Sequence, residues 1–181
     1  MGQSKQLLPL EGKPVIRHCI DCIIAADIDE IIVVLGRDSE ELLKTLHGLP
    51  VKAVLNEELG SEMATSVRIG LREVNPYASG VLVSLSDHPL ISKETLKNLL
   101  RIHHEAPAKI IIPVYKERRG HPTLFPRHVI DEIFKGGTLK DLINRNPERV
   151  RTVEVIDEGV IIDMDTREDY ERVLGKLAAR L

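Results

Sequence analysis

The sequence predicts an α/β protein built on a mostly parallel sheet, and three observations carry that expectation. Short aliphatic runs at Glu30 to Leu35, Val51 to Leu55, Val81 to Leu90 and Ile110 to Tyr115 alternate with segments of helical period. The run Val81-Leu82-Val83-Ser84-Leu85, entered from Ser79-Gly80 and closed by Asp87-His88-Pro89, shows no in-out alternation. It reads as a strand buried on both faces in the middle of a parallel sheet, with Asp87 at its carboxyl end. Aromatic residues make up only 3% of the 181 and Trp is absent, so the core must be built from Ile, Val and Leu. Such residues suit strands of this kind.

The length suits one domain spanning 1–181, large enough to bury a real core. A net charge of −3 leaves no basic footprint for nucleic acid. No apolar run approaches the roughly 18 residues of a membrane span, and no signal peptide is seen, so a cytoplasmic protein is expected. Cys19 and Cys22 lie on an apolar helical stripe with no second pair to complete a zinc site, which makes them buried thiols.

In chain order, the segment up to Leu10 is a loop. Pro14 opens a helix whose buried face is Val15, Ile16, Cys19, Ile20, Ile23 and Ile24. The strand ending at Leu35 leads through Gly36 to a helix from Glu40 to His47, capped by Asp38 or Ser39. A strand closed by Asn56 and a polar loop precede a helix from Ala64 to Glu73. Ser92 caps a helix from Lys93 to His104. Pro113 marks the strand Ile110 to Tyr115 as interrupted or at an edge. A charged turn at Lys116 to Gly120 then leads to a return strand over His121 to Phe125. Helices around His128 to Phe134 and Thr138 to Asn144 lead to short strands at Val150 to Val155 and Val160 to Ile162. A last helix turns Tyr170, Val173, Leu174, Leu177 and Leu181 inward.

Four groups could carry chemistry. Ligands in open α/β sheets bind beyond the carboxyl ends of the strands, so Asp87 faces a site there and can hold a metal such as Mg²⁺ together with substrate phosphates. Asp before Pro also starts turns, so a turn role is the alternative. Asp163 and Asp165, two apart in an extended segment, point the same way and could share that metal. Helix capping around Thr166 and Asp169 is the other explanation. Lys5, in a loop at the mouth of the sheet, could act as a phosphate point charge. Arg118-Arg119-Gly120-His121-Pro122 offers donors for a phosphate or a heteroaromatic ring, although a charged hairpin tip needs no function. His18, His47 and His103 have no ligand partner at useful spacing.

Several segments together resemble the MobA-like nucleotidyltransferases, most closely the molybdenum cofactor cytidylyltransferase branch. They are Lys5-Gln6-Leu7-Leu8-Pro9-Leu10 with Gly12-Lys13-Pro14, Val33-Val34-Leu35-Gly36, Asn56 with Met63 and Ser66, and Leu85-Ser86-Asp87-His88-Pro89-Leu90. Arg119-Gly120-His121-Pro122-Thr123-Leu124-Phe125 and Asp163-Met164-Asp165-Thr166 complete the set. The resemblance implies a Rossmann-like three-layer α/β/α fold and Mg²⁺-dependent transfer of CMP from CTP to the phosphate of molybdopterin, with release of pyrophosphate. GTP as donor, or another small-molecule acceptor, is the alternative within the class. By the same likeness Lys5 neutralises the triphosphate, Gly36, Asn56 and Ser66 contact the nucleotide, and Asp87 is catalytic and holds the metal with Asp165 and Asp163. Arg119, Gly120 and His121 lie on the acceptor side. A client molybdoenzyme or an insertion chaperone is the implied partner.

Three departures accompany the likeness. Relatives open with a β-strand and a Gly-rich, Arg-bearing phosphate loop that has no counterpart here. The expectation is therefore an amino-terminally truncated chain whose sheet lacks its first strand. Glu62 stands where a Gly usually precedes Met63, and His88 replaces the more usual Gln. A non-catalytic protein that binds the cofactor and passes it on is the rival reading, favoured by the missing loop and opposed by the retained Lys5, Asp87 and Asp165.

Overall fold

The computed structural model describes residues 4–36, 39–58 and 62–179. The chain enters through a 3-10 turn at Lys5–Leu7 and a tight hairpin of β1 (Pro9–Leu10) and β2 (Lys13–Pro14). Glu11 and Gly12 turn this hairpin with positive φ values of 47° and 79°; the second is a conformation that glycine adopts without a Cβ penalty. Next come α1 (Val15–Ala25), β3 (Ile32–Gly36), α2 (Glu40–Leu46), β4 (Lys52–Asn56), α3 (Met63–Glu73) and β5 (Gly80–Val83). The second half holds α4 (Lys93–Glu105), β6 (Ile110–Tyr115), β7 (Arg118–Arg119), β8 (Thr123–Pro126), α5 (Arg127–Ile130), α6 (Leu139–Arg145), β9 (Val150–Glu154) and α7 (Arg167–Ala178).

The strands form a three-layer α/β fold in which helices cover both faces of the sheet. The alternation of β6 shows why. Ile110 and Ile112 point into a core with Ala64 and Leu71 of α3 and with Val129 and Ile130 of α5, while Ile111 points the other way onto Leu99 and Ile102 of α4. β5 follows the same rule, sending Val81 and Val83 to the first core and Leu82 to the second. β3 packs Val33 and Leu35 on Ile16 and Ile20 of α1. Each such side chain, fully removed from water, contributes about 1.5–3 kcal/mol.

β6 is the hub of the larger sheet. It pairs in parallel with β9 and in antiparallel with β8 and β7, and β8 pairs in turn with β5. β3 and β4 form a separate parallel pair, in register from Ile32↔Lys52 to Gly36↔Asn56. Among the described residues no strand joins β3 to β5.

Several expectations change. The Asp87 strand ends at Val83, so Asp87 lies in the turn that follows. β5 is half-buried and paired on one edge only, because the position beside it is open. Of the two readings of Pro113 the interruption holds: it sits in the central strand, not at an edge. On the β7/β8 side the ladder is broken between Ile111↔Leu124 and Val114↔Arg119, and the proline's missing N–H falls in that gap. The expected strand at Val160 to Ile162 is a 3-10 turn, Glu158–Ile161, because Asp157 accepts from the Gly159 N–H and Gly159 lies against the Leu90 carbonyl. Ser39 makes no side-chain cap on α2; its hydroxyl bonds the Gly36 carbonyl instead. Asp38 and Leu181 lie outside the described residues. Ser92 and Thr166 cap α4 and α7 as their sequences imply, Thr166 within a reciprocal capping box with Asp169.

The backbone contact at Gly159 is tight: any Cβ there meets the Leu90 carbonyl. Gly159→Ala is expected to cost about 1–3 kcal/mol, a fall of several degrees in Tm for a domain this size. A calorimetric melt equal to that of the unsubstituted protein would refute the contact.

Candidate active site

Three distant segments meet at the carboxyl ends of β3 and β5. Beneath them lies one apolar cluster made of Leu10 and Val15 from the entry, Leu90 after β5, Ile162 and Met164 before α7, and Val173 within it. Met164 is buried and its neighbours Asp163 and Asp165 are exposed, so the extended segment anchors itself by one side chain and lifts the acids toward solvent.

Above the cluster the Lys5 Nζ lies 2.6 Å from Asp87 Oδ2 and 2.6 Å from Asp165 Oδ1. Gln6 extends the contact by donating to the Ser86 hydroxyl at 3.3 Å. Burial pulls the Lys5 ammonium down, but the hydrogen bonds and charges of Asp165 and Asp87 outweigh it and its pKa is raised above 10.5. The second oxygen of Asp87, Oδ1, is buried with no hydrogen-bond partner, and His88 Nε2 stands 3.9 Å from it. His88 is buried and meets His121 edge to face at 5.4 Å. Burial, helped by the neighbouring His88, holds His121 below its ordinary 6.5 against the opposing charges of Asp87 and Asp163. It is therefore a neutral ring near pH 7. The Nδ1 atoms of both rings are buried without partners. Three unused polar atoms thus collect around one carboxylate.

The arrangement suits a divalent cation. Two carboxylates already converge on one positive charge, and one retains a free buried oxygen, the donor set Mg²⁺ or Mn²⁺ takes alongside substrate phosphates. The three expected carboxylates do not act together: among the described residues no group of three or more His, Cys, Asp or Glu side chains converges as a metal centre. Asp87 and Asp165 meet on Lys5, and Asp163 is exposed, its charge felt at His121.

A second group lies at the end of the β3–β4 pair. Gly36 and Asn56 are register partners, and Asn56 Nδ2 donates to the Ser66 hydroxyl at 2.9 Å while its Oδ1 accepts from the Glu58 N–H at 3.1 Å. All three expected nucleotide contacts are therefore adjacent. Glu62 is exposed at the start of α3, without a side-chain cap bond. Arg119 is exposed on β7, and Gly120 is buried against the Val160 carbonyl, a backbone approach that leaves no room for a side chain. His88 and the Gln6–Ser86 contact are site features that residue pattern alone did not single out. Their adjacency to Lys5 and Asp87 was the available signal.

A mixed α/β sheet with acids and a lysine gathered at its carboxyl edge defines a nucleotide-handling α/β protein. Residues 1–150 match the model of the MobA-like NTP transferase domain, and the chain belongs to that family. Among solved structures, Rv0371c from Mycobacterium tuberculosis H37Rv is 30% identical with a TM-score of 0.83, covering 97% of this chain and 90% of that one. The same protein is also known as a manganese complex, with a TM-score of 0.82 over 96% of this chain and 93% of that one. The bifunctional protein GlmU of Desulfitobacterium hafniense (strain Y51) is 34% identical over 121 residues, 64% of this chain. The chain spans about a quarter of the length of the GlmU proteins it matches. The fold alone, at 17% identity and a TM-score of 0.77 over 98% of this chain and 92% of that one, is shared with a CMP:2-keto-3-deoxy-manno-octonic acid synthetase solved with CTP.

His121 binds a proton more weakly in the folded chain than in the unfolded one, so its contribution is present above pH 6.5 and is lost as pH falls through its lowered folded value. Stability should therefore decline below pH 6.5, and His121→Gln should shrink that decline. Parallel acid slopes for the two proteins in a pH series of urea melts would contradict this.

Proposed function

We propose that this chain transfers a nucleoside monophosphate from a nucleoside triphosphate to a phosphorylated small molecule. The observation that carries the reading is the single ammonium held by Asp87 and Asp165. Asp87 and Asp165 would hold a divalent cation, which would supply charge neutralisation for the triphosphate. Lys5, on the same two carboxylates, would add a second positive charge for phosphate oxygens. Gly36, Asn56 and Ser66 offer an uncrowded backbone and an amide–hydroxyl pair for the ribose and base.

The acceptor phosphate is ionised at neutral pH, so its oxygen attacks the α-phosphorus without a strong general base. The bond from the α-phosphorus to the bridging oxygen breaks, and pyrophosphate leaves with the electron pair. Positioning and neutralised charge do most of this work. His121, neutral beside His88, keeps one donor and one acceptor nitrogen for the incoming phosphate, with Arg119 on the same strand-turn segment.

In its finer form the proposal takes CTP as donor, Mg²⁺ as metal, the phosphate of molybdopterin as acceptor, and a client molybdoenzyme or insertion chaperone as recipient of the product. Its support is the set of segments from Lys5 to Leu10 and from Arg119 to Phe125; for CTP, the nucleotide held by the synthetase of like fold adds to it. That synthetase also brings an acceptor other than a pterin into view, a sugar acid.

The test pairs melting shifts with product formation. With Mn²⁺ or Mg²⁺ and CTP at about 100 times its dissociation constant, the chain should gain about 2.7 kcal/mol, or several degrees. GTP, UTP and ATP should shift it less, and the gain should vanish in Asp87→Ala. Absence of any shift with every nucleotide would overturn nucleotide binding by this chain. Pyrophosphate release with molybdopterin but not with 2-keto-3-deoxy-manno-octonate would support the finer form, and the reverse would replace the pterin by a sugar acid. In an active protein, Asp87→Asn should lower kcat by about 10²-fold or more with little change in Tm. Lys5→Met should leave two carboxylates facing each other unneutralised, and its Tm should recover on addition of Mn²⁺ by more than the unsubstituted protein gains.

A further inference from the structure

Close to the Asn56–Ser66 pair stands a carboxylate that the structure leaves unengaged. Glu62 opens α3: its carbonyl accepts the Thr65 N–H at 2.9 Å, so the helix begins with it. Its side chain is exposed, caps no backbone N–H, and takes part in no side-chain hydrogen bond or ion pair among the described residues. A surface glutamate of that kind needs no function. Its neighbours set this one apart.

Residues three and four apart on a helix share a face, so Glu62, Met63 and Ser66 form one patch. Cα–Cβ bonds tilt toward the amino end of a helix, and the Ser66 hydroxyl therefore leans toward the turn that Glu62 opens. Met63 is 58% exposed, an apolar side chain left in solvent within that patch. Asn56 closes β4 and, through its bond to Ser66, ties the patch to the carboxyl ends of β3 and β4.

A nucleobase has two apolar faces and a polar edge. The polarizable Met63 thioether suits a face. The edge needs a donor or an acceptor, and the Asn56 amide is already committed: its Nδ2 donates to Ser66 and its Oδ1 accepts from the Glu58 N–H. Glu57 and Glu58 lie on the segment leaving β4, off the helix face that carries Ser66. The group left for the edge is the Glu62 carboxylate, which when ionised only accepts.

The two pyrimidines differ in what they present to such a group. Cytosine carries an amine at position 4, a donor, where uracil carries a carbonyl, an acceptor. A carboxylate attracts the first and repels the second. Lys5, Asp87 and Asp165, which serve the triphosphate in the proposed transfer, are gathered beyond β5 in the other sheet, so the Glu62 charge belongs to the base end and not to the phosphate end.

We propose that Glu62 is a specificity-determining residue, its carboxylate accepting a hydrogen bond from the 4-amino group of cytosine and turning away the 4-carbonyl of uracil. The inference rests on the nucleotidyl-transfer reading above and names how that site chooses its pyrimidine.

The test measures dissociation constants of CTP and UTP, each with Mg²⁺, by calorimetric titration of the full chain and of its Glu62→Gln and Glu62→Ala variants. The unsubstituted chain should favour CTP by about tenfold or more. The Glu62→Gln amide can turn an N–H toward a carbonyl, so this variant should bring the two nucleotides within about twofold of each other, tightening UTP while weakening CTP. Glu62→Ala should weaken CTP by about tenfold without weakening UTP. The carboxylate also suits the positive end of the α3 dipole, so both variants should melt slightly lower; a merely structural role would move the two nucleotides together. Equal affinities for CTP and UTP in the unsubstituted chain, or an unchanged ratio in either variant, would overturn the base contact and leave the transfer reading standing. Binding of neither nucleotide by the unsubstituted chain would overturn both.

Discussion

The contact between an ammonium near the start of the sequence and two carboxylates, one from its middle and one from near its end, organises this molecule. Asp87 and Asp165 approach a common point, and two like charges about 4 Å apart at an effective dielectric near 20 repel by about 4 kcal/mol. Lys5 turns that repulsion into a pair of attractions. The two arms are unequal. Asp87 is 17% exposed and feels Lys5 through little solvent, whereas Asp165 is 66% exposed and its arm is screened.

Apolar packing below makes the contact possible. Leu10, Leu90 and Met164 are buried together, and each lies within five residues of Lys5, Asp87 or Asp165. Each charged group therefore stands on a segment whose neighbour is fixed in the core. Gly159 and Gly120 tighten the arrangement, because backbone from the post-β5 turn, the β6–β8 arm and the 3-10 turn before Asp163 touches without intervening side chains. Around Asp87 the packing leaves one carboxylate oxygen and two imidazole nitrogens buried and unpartnered. Unpaired buried polar atoms cost about 1–3 kcal/mol each, a cost that the apolar packing around them has to offset.

Some of this was readable from residue order. The aliphatic runs placed β3, β4, β6 and β9 within a residue or two, and the caps at Ser92 and Thr166 followed from side-chain chemistry three residues apart. Asp87 and Asp165 were recognisable as acids at the carboxyl edge. Other features were not. Pro113 read as an interruption or an edge, and the gap in the ladder on the β7/β8 side is the interruption; sequence shows the missing N–H but not which of the two it marks. Val160 to Ile162 read as a strand because its residues are β-branched; the Asp157 cap and the Leu90 carbonyl force a tighter turn.

The sequence by itself determined the class of fold, the order of its elements and the identity of the charged groups, because periodicity and capping are local and leave their mark on neighbouring residues. The tertiary structure alone decided which charges meet. Lys5 is 82 residues from Asp87 and 160 from Asp165, and no local pattern says that Asp165 rather than Asp163 reaches the ammonium.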